Sequence, residues 1–95
     1  MAEAVVSLTP IAQPAHNTIR DVRFAMREGG MLMFVVVTHA ALESMASSTP
    51  GAEDHLGRFE QNRNAFERIA IQKYERGDVD DEGFIFIQKA DLQSR

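Results

Sequence analysis

IRDVRFAMREGGMLMFVVV, residues 19–37, is the stretch from which the fold is read. In its first half Val22, Phe24 and Met26 alternate with Asp21, Arg23 and Arg27. Successive side chains of a strand point to opposite faces, so this period of two predicts a half-buried strand from Ile19 to Arg27. Glu28, Gly29 and Gly30 come next, and glycine reaches the positive φ angles that tight hairpin turns require. Met31 to Val37 is then apolar at every position and ends in three valines, whose branching at Cβ suits a strand better than a helix. A hairpin is predicted.

Working outward toward the C-terminus, Thr38 is a candidate N-cap for a short helix from His39 to about Ala46, with Leu42 and Met45 facing inward. Ser47 to Gly51 reads as a linker, and Thr49 followed by Pro50 offers a cap and a first-turn proline for a second helix. Leu56, Phe59, Phe66, Ile69, Ala70, Lys73 and Tyr74 fall on one helical stripe, which carries that helix to Arg76, and Gly77 supplies its stop. After an acidic turn, Asp78 to Gly83, Phe84 to Ile87 reads as a third strand. Toward the N-terminus, Pro10 and Pro14 break up a leader over residues 1–18, flexible or contributing an edge strand at Val5 to Leu8.

These elements predict an α+β fold, a ββααβ chain whose three-stranded antiparallel sheet, in order 1-2-3, packs on two helices. Residues 19–92 form the one domain and residues 93–95 a tail. The valine-rich strand belongs in the centre, where apolar character on both faces is most easily buried. The third strand is apolar on both faces as well, and two helices cover only one side of a sheet. The other side therefore wants a cover from the leader or from a partner chain.

Composition narrows the function classes. The 95 residues suit a single core. The chain has no cysteine, which removes disulfides, thiolate metal sites and a cysteine nucleophile, and points to a reducing, cytoplasmic setting. Met1 to Ala4 carries an acid and no Lys or Arg, unlike a signal peptide, and the longest apolar run is far short of the roughly 20 residues of a membrane span. A net charge of −4 disfavours nucleic acid as a partner. Arg58, Arg63, Arg68, Lys73 and Arg76 recur along the long helix, but Glu60, Glu67 and Glu75 interleave with them, as on a solvated, pair-laced surface.

No nucleophile, base and orienter assemble, so no catalytic residue is assigned and the expectation is a non-enzyme. Arg63 interrupts the apolar stripe at 59, 63, 66, 70. Its ordinary role is to pack its stem on Phe59 and Phe66 and reach Glu60 or Glu67. Its sharper role is to clamp a small anion beside Asn62. Asp78, Asp80, Asp81, Glu82 and Gly83 imitate the opening of a calcium loop, but Lys89 stands where the bidentate acid belongs. His39 and Glu43 share a helical face, and His55 would have to join them; two ligands are not a site. No metal or other cofactor is therefore expected. Met31, Met33, Phe84 and Phe86, or their opposite-face counterpart, form a candidate interaction surface, since methionine adapts to varied partners.

Several segments together resemble the short bacterial proteins grouped as domain-of-unknown-function family 1488. They are Val22, Arg23, Phe24; Ala41, Leu42, Glu43; Phe59, Glu60, Gln61, Asn62, Arg63 with Phe66, Glu67 and Ala70; and Phe86, Ile87, Lys89, Ala90, Asp91, Leu92. The resemblance spans about residues 19–92 and implies a compact α+β domain in a bacterial cytoplasm, with no activity attached. The functional expectation is thus an uncharacterised protein-interaction or self-association module, with itself or another protein as partner. The alternative is a binder of, or modest enzyme on, a small anion through Arg63 and Asn62.

Overall fold

The computed structural model describes residues 8–44 and 54–93. Its elements run β1 (Leu8–Pro10), β2 (His16–Asn17), β3 (Asp21–Glu28), β4 (Met31–Thr38), α1 (His39–Glu43), α2 (His55–Gln61), α3 (Arg63–Glu75), β5 (Ile85–Ile87) and α4 (Lys89–Gln93). The hairpin is β3 and β4, antiparallel from Asp21↔Thr38 to Glu28↔Met31, with Gly29 at φ 59° in the turn. Val22, Phe24 and Met26 are buried and Arg23 and Arg27 exposed, in the alternation the sequence carries.

The sheet is not the three-stranded antiparallel one expected. It is mixed and five-stranded, in the order β1-β3-β4-β5, with β2 also on β3, and four helices accompany it. Part of the predicted leader makes the first difference. Leu8–Pro10 pairs with Met26–Glu28, and His16–Asn17 pairs with Val22 and Arg23, so two short strands share one edge of β3 and the chain between them arches away. Val5 to Ser7 lie outside the described residues.

The direction of β5 makes the second. It runs parallel to β4, Val35↔Ile85 to Val37↔Ile87, where an antiparallel third strand was expected. That expectation gave each of two helices a full pass over the sheet. At 1.5 Å per residue the five residues of α1 span only about 7.5 Å, and α3 alone, at about 20 Å, is long enough to cross. α1 and α2 stay near the end of β4, where α2 meets β2 and β3, while α3 runs back past β1 to β5. One net crossing returns the chain to the start of β4, which makes the next strand parallel.

The predicted long helix is two helices. α2 starts at His55, with the Asp54 side chain accepting from the Gly57 amide at 2.6 Å; Thr49 and Pro50 lie outside the described residues. At Asn62 the backbone leaves helical geometry (φ −120°, ψ 18°), and its side-chain amide donates at 2.9 Å to the Arg58 carbonyl, which the Asn62 N–H would take in an unbroken helix. Asparagine competes in this way with the backbone. Other boundaries follow local chemistry. Thr38 Oγ1 accepts from the Ala41 amide at 3.1 Å, and α1 ends at Glu43, short of the expected Ala46. α3 closes on Gly77 (φ 77°), where Asp78 N–H donates to Lys73 and Gly77 N–H to Tyr74, the Schellman pattern.

The core lies between the helices and one sheet face. Val22, Phe24, Met26, Val35, Val37, Ile85 and Ile87 meet Leu42, Phe59, Phe66 and Ala70. The rings of Phe24 and Phe59 lie 4.9 Å apart, and those of Phe59 and Phe66 stack at 5.5 Å across the Asn62 break. Each such fully buried side chain contributes about 1.5–3 kcal/mol.

Candidate functional site

β-register decides which side chains share the other sheet face. Residues paired across a sheet point the same way, so Arg23, Ala25 and Arg27 of β3 stand with Leu32, Phe34 and Val36 of β4, and Val36 with Phe86 of β5. The helix residues of the core, Leu42, Phe59, Phe66 and Ala70, pack on the opposite face, and Lys73, Ala90 and Asp91 come near only the Phe84–Phe86 end of this one. Leu32 is 47% exposed and Phe34 44%, although Ala25 and Val36, the neighbours of Phe34 on this face, are buried. Phe34 meets Phe84 edge-on at 6.5 Å, and Phe84 meets Phe86 at 6.2 Å, both within the range of favourable aromatic pairs.

Beside this aromatic row lies a hollow of about 370 Å³, lined by Pro14, His16, Arg23, Ala25, Phe34 and Phe84 among others. It exists because β1 and β2 leave a gap along β3, and because alanine at 25 gives the sheet no bulk there.

The four residues of the sequence-derived surface divide between two faces. Phe84 and Phe86 lie on the outer face. By its pairing with Met26, Met33 lies on the helix side, packed against the core, and Met31 is 70% exposed at the β3–β4 turn. The outer surface is instead Leu32, Phe34, Phe84 and Phe86. Only the β4–β5 register shows that 84 and 86 match 34 and 36, and residues 50 positions apart carry no sequence signal of shared parity.

Arg63 turns inward. Its Nε donates to Glu67 at 3.1 Å and its Nη2 to the carbonyls of Ile11 and Gln13 at 3.2 and 2.9 Å, with Glu60 at 3.8 Å. The guanidinium carbon lies 5.5 and 5.6 Å from the ring centres of Phe24 and Phe59, in cation–π range. Its bonds to Ile11 and Gln13 pin the arch between β1 and β2 to α3, the arch whose Pro14 walls the hollow. The neighbouring Asn62 turns its amide to Arg58, so the two do not converge on a common ligand position.

Lys73, Asp78, Asp80 and Tyr74 are also committed to the fold. Lys73, 6% exposed, reaches Asp91 at 2.9 Å and Asp78 at 3.0 Å, and this ammonium holds the Asp78 carboxyl below the usual range, first by hydrogen bond and then by charge. Asp80 Oδ1 accepts from the amides of Glu82 and Phe84, which directs it into its own turn and not toward a shared cation. The Tyr74 phenol donates to Glu28 at 2.7 Å, and the carboxylate raises its pKa.

His39, Glu43 and His55 do meet. The two imidazoles stack at 3.7 Å and 6°, with Nε2 of His39 on Asn17 and Nε2 of His55 on Glu43. Imidazole lone pairs lie in the ring plane, so two parallel rings cannot direct them to one ion. Among the described residues no group of three His, Cys, Asp or Glu could hold a metal.

A family model described as "Protein of unknown function (DUF1488)" matches residues 13–87. A crystal structure of a protein of unknown function from the DUF1488 family of Shewanella loihica PV-4 superposes with a TM-score of 0.70 at 21% identity, over 86% of this chain and 90% of that one. That likeness speaks for the fold. No curated protein matches the chain.

Proposed function

The chain belongs to the DUF1488 family, and we propose that it acts as a non-enzymatic protein-binding module in the cytoplasm, its contact surface the outer face of its sheet. One observation carries the reading: the aromatic row Phe34, Phe84 and Phe86, with Leu32 on the same face, borders a hollow walled by Phe34 and Phe84, on the side of the sheet opposite the helical core. Scattered exposed apolar residues are ordinary, whereas a contiguous patch rimmed by charge marks an interaction site. Aromatic side chains suit the role, because they bring large contact area with few rotatable bonds.

The anion-binding alternative finds less support, since Arg63 already donates to a carboxylate and two carbonyls. The test is photo-cross-linking in the cells that make the protein, with a photoreactive phenylalanine analogue at position 34 and, as control, at the exposed helical position 68. A discrete adduct at 34 and none at 68 is expected. Identical patterns at the two positions would refute the reading.

A further inference from the structure

The outer face carries its charge in a definite order. β3 contributes the exposed Arg23 and Arg27; β4 and β5 contribute the apolar Leu32, Phe34, Val36 and Phe86, with Phe84 just before β5. Next comes the turn leading into β5, with Asp80, Asp81 and Glu82 all exposed. From β3 to the β5 edge the sheet thus runs cationic, apolar, anionic. Arg27, Asp81 and Glu82 have no ion-pair partner among the described residues.

Such a face is its own complement about one axis and not about the other. If a second copy is laid face to face about a two-fold axis parallel to β4, β3 of each copy lies over β5 of the other, and each basic edge meets an acidic one. The two β4 stripes then meet along the axis. A two-fold axis across the strands sets β3 over β3, with arginine against arginine and acid against acid, and like-charge juxtaposition selects against that arrangement.

We infer that the occupant of the outer face is a second copy of this chain, related by a two-fold axis parallel to β4, with Arg27 of each copy facing the Asp80–Glu82 turn of the other, while Arg23, paired with Asp21, lies level with Phe86. A two-fold interface uses the same patch on both subunits. About this axis the exposed Phe34 side chains of the two copies meet, and the hollow over Ala25, level with Phe34, lies over the Phe84 end of the other copy's β5. The inference rests on the outer face being the binding surface.

Sedimentation velocity of the full chain across the micromolar range tests it. A dimer is expected that weakens as salt rises, because its flanking charges are solvent-accessible. Arg27→Glu and Glu82→Arg should each weaken dimerisation about 10-fold or more, with melting temperatures near wild type because both side chains are exposed. The double variant Arg27→Glu with Glu82→Arg should recover most of the affinity, since opposite signs again face each other. A strict monomer, or a dimer indifferent to the single reversals or not rescued by the double one, overturns the inference. The cross-link at position 34 separates this failure from failure of the binding face itself. An adduct with a different protein overturns the second copy alone, whereas a link within the chain to residues 1–7, or absence of any adduct, removes both.

Discussion

Arg63→Ala should destabilise the protein far more than an average surface change. The side chain is 18% exposed and its partner Glu67 12%. A hydrogen bond to a charged group is worth about 1.5–3 kcal/mol, and each carbonyl bond about 1 kcal/mol before solvent competition. Removing the cation also strands the Glu67 carboxylate, and breaking a fully buried pair costs about 3–5 kcal/mol. Water reaches this pair at its rim, so the expected loss is about 2–4 kcal/mol, or roughly 10–25 °C in melting temperature for a chain of this size. Arg63→Lys, which keeps the charge but loses the planar fork, should lose about half as much.

Urea unfolding followed by circular dichroism is the assay, with a lower midpoint at unchanged slope as the expected signature. Combining Arg63→Met with Glu67→Gln removes the stranded charge, and should recover about 1–2 kcal/mol relative to the sum of the single losses. A loss below about 0.5 kcal/mol for Arg63→Ala, typical of surface positions, would refute the structural role and reopen Arg63 for a ligand.

Three further outcomes follow from local geometry. The chain has one tyrosine, so phenolate absorbance reports Tyr74 alone; it should titrate above the usual value of about 10, and Glu28→Gln should bring it down. Since the folded-state pKa is raised, that contribution to stability is complete below the unfolded value and is lost as pH climbs through the folded one. Asp78 has the opposite sign: its folded pKa is depressed by Lys73, so its contribution holds above the ordinary carboxylate range and disappears as pH falls through the lowered value. Melting temperatures measured down an acid series should therefore fall less steeply for Asp78→Asn than for wild type. Gly83→Ala forces a side chain into φ 88° and should cost about 1 kcal/mol or more in urea unfolding, whereas Gly30→Ala, with open space and no positive φ, should be neutral or slightly stabilising.

Features that act over a few residues were legible in the amino-acid order. The alternation at 22, 24 and 26, the Thr38 cap and the Gly77 stop each rest on contacts one or two turns away, and each stands in the structure as read. The break at Asn62 was legible in kind, since asparagine competes with helical bonding, but an apolar stripe running through it concealed it.

Tertiary structure alone decided the rest. The parallel direction of β5 follows from how many times the helices cross the sheet, a sum over the connection that no single segment contains. The face on which Phe84 and Phe86 emerge depends on a register between strands 50 residues apart in sequence, such as Val35 with Ile85. Arg63 finds its carbonyls in Ile11 and Gln13, 52 and 50 residues away, on an arch that exists only because two short strands share one edge of β3. Hydrophobic pattern says that a side chain will be buried, and burial is non-directional. Direction, register and partner are set only when the whole chain closes on its core.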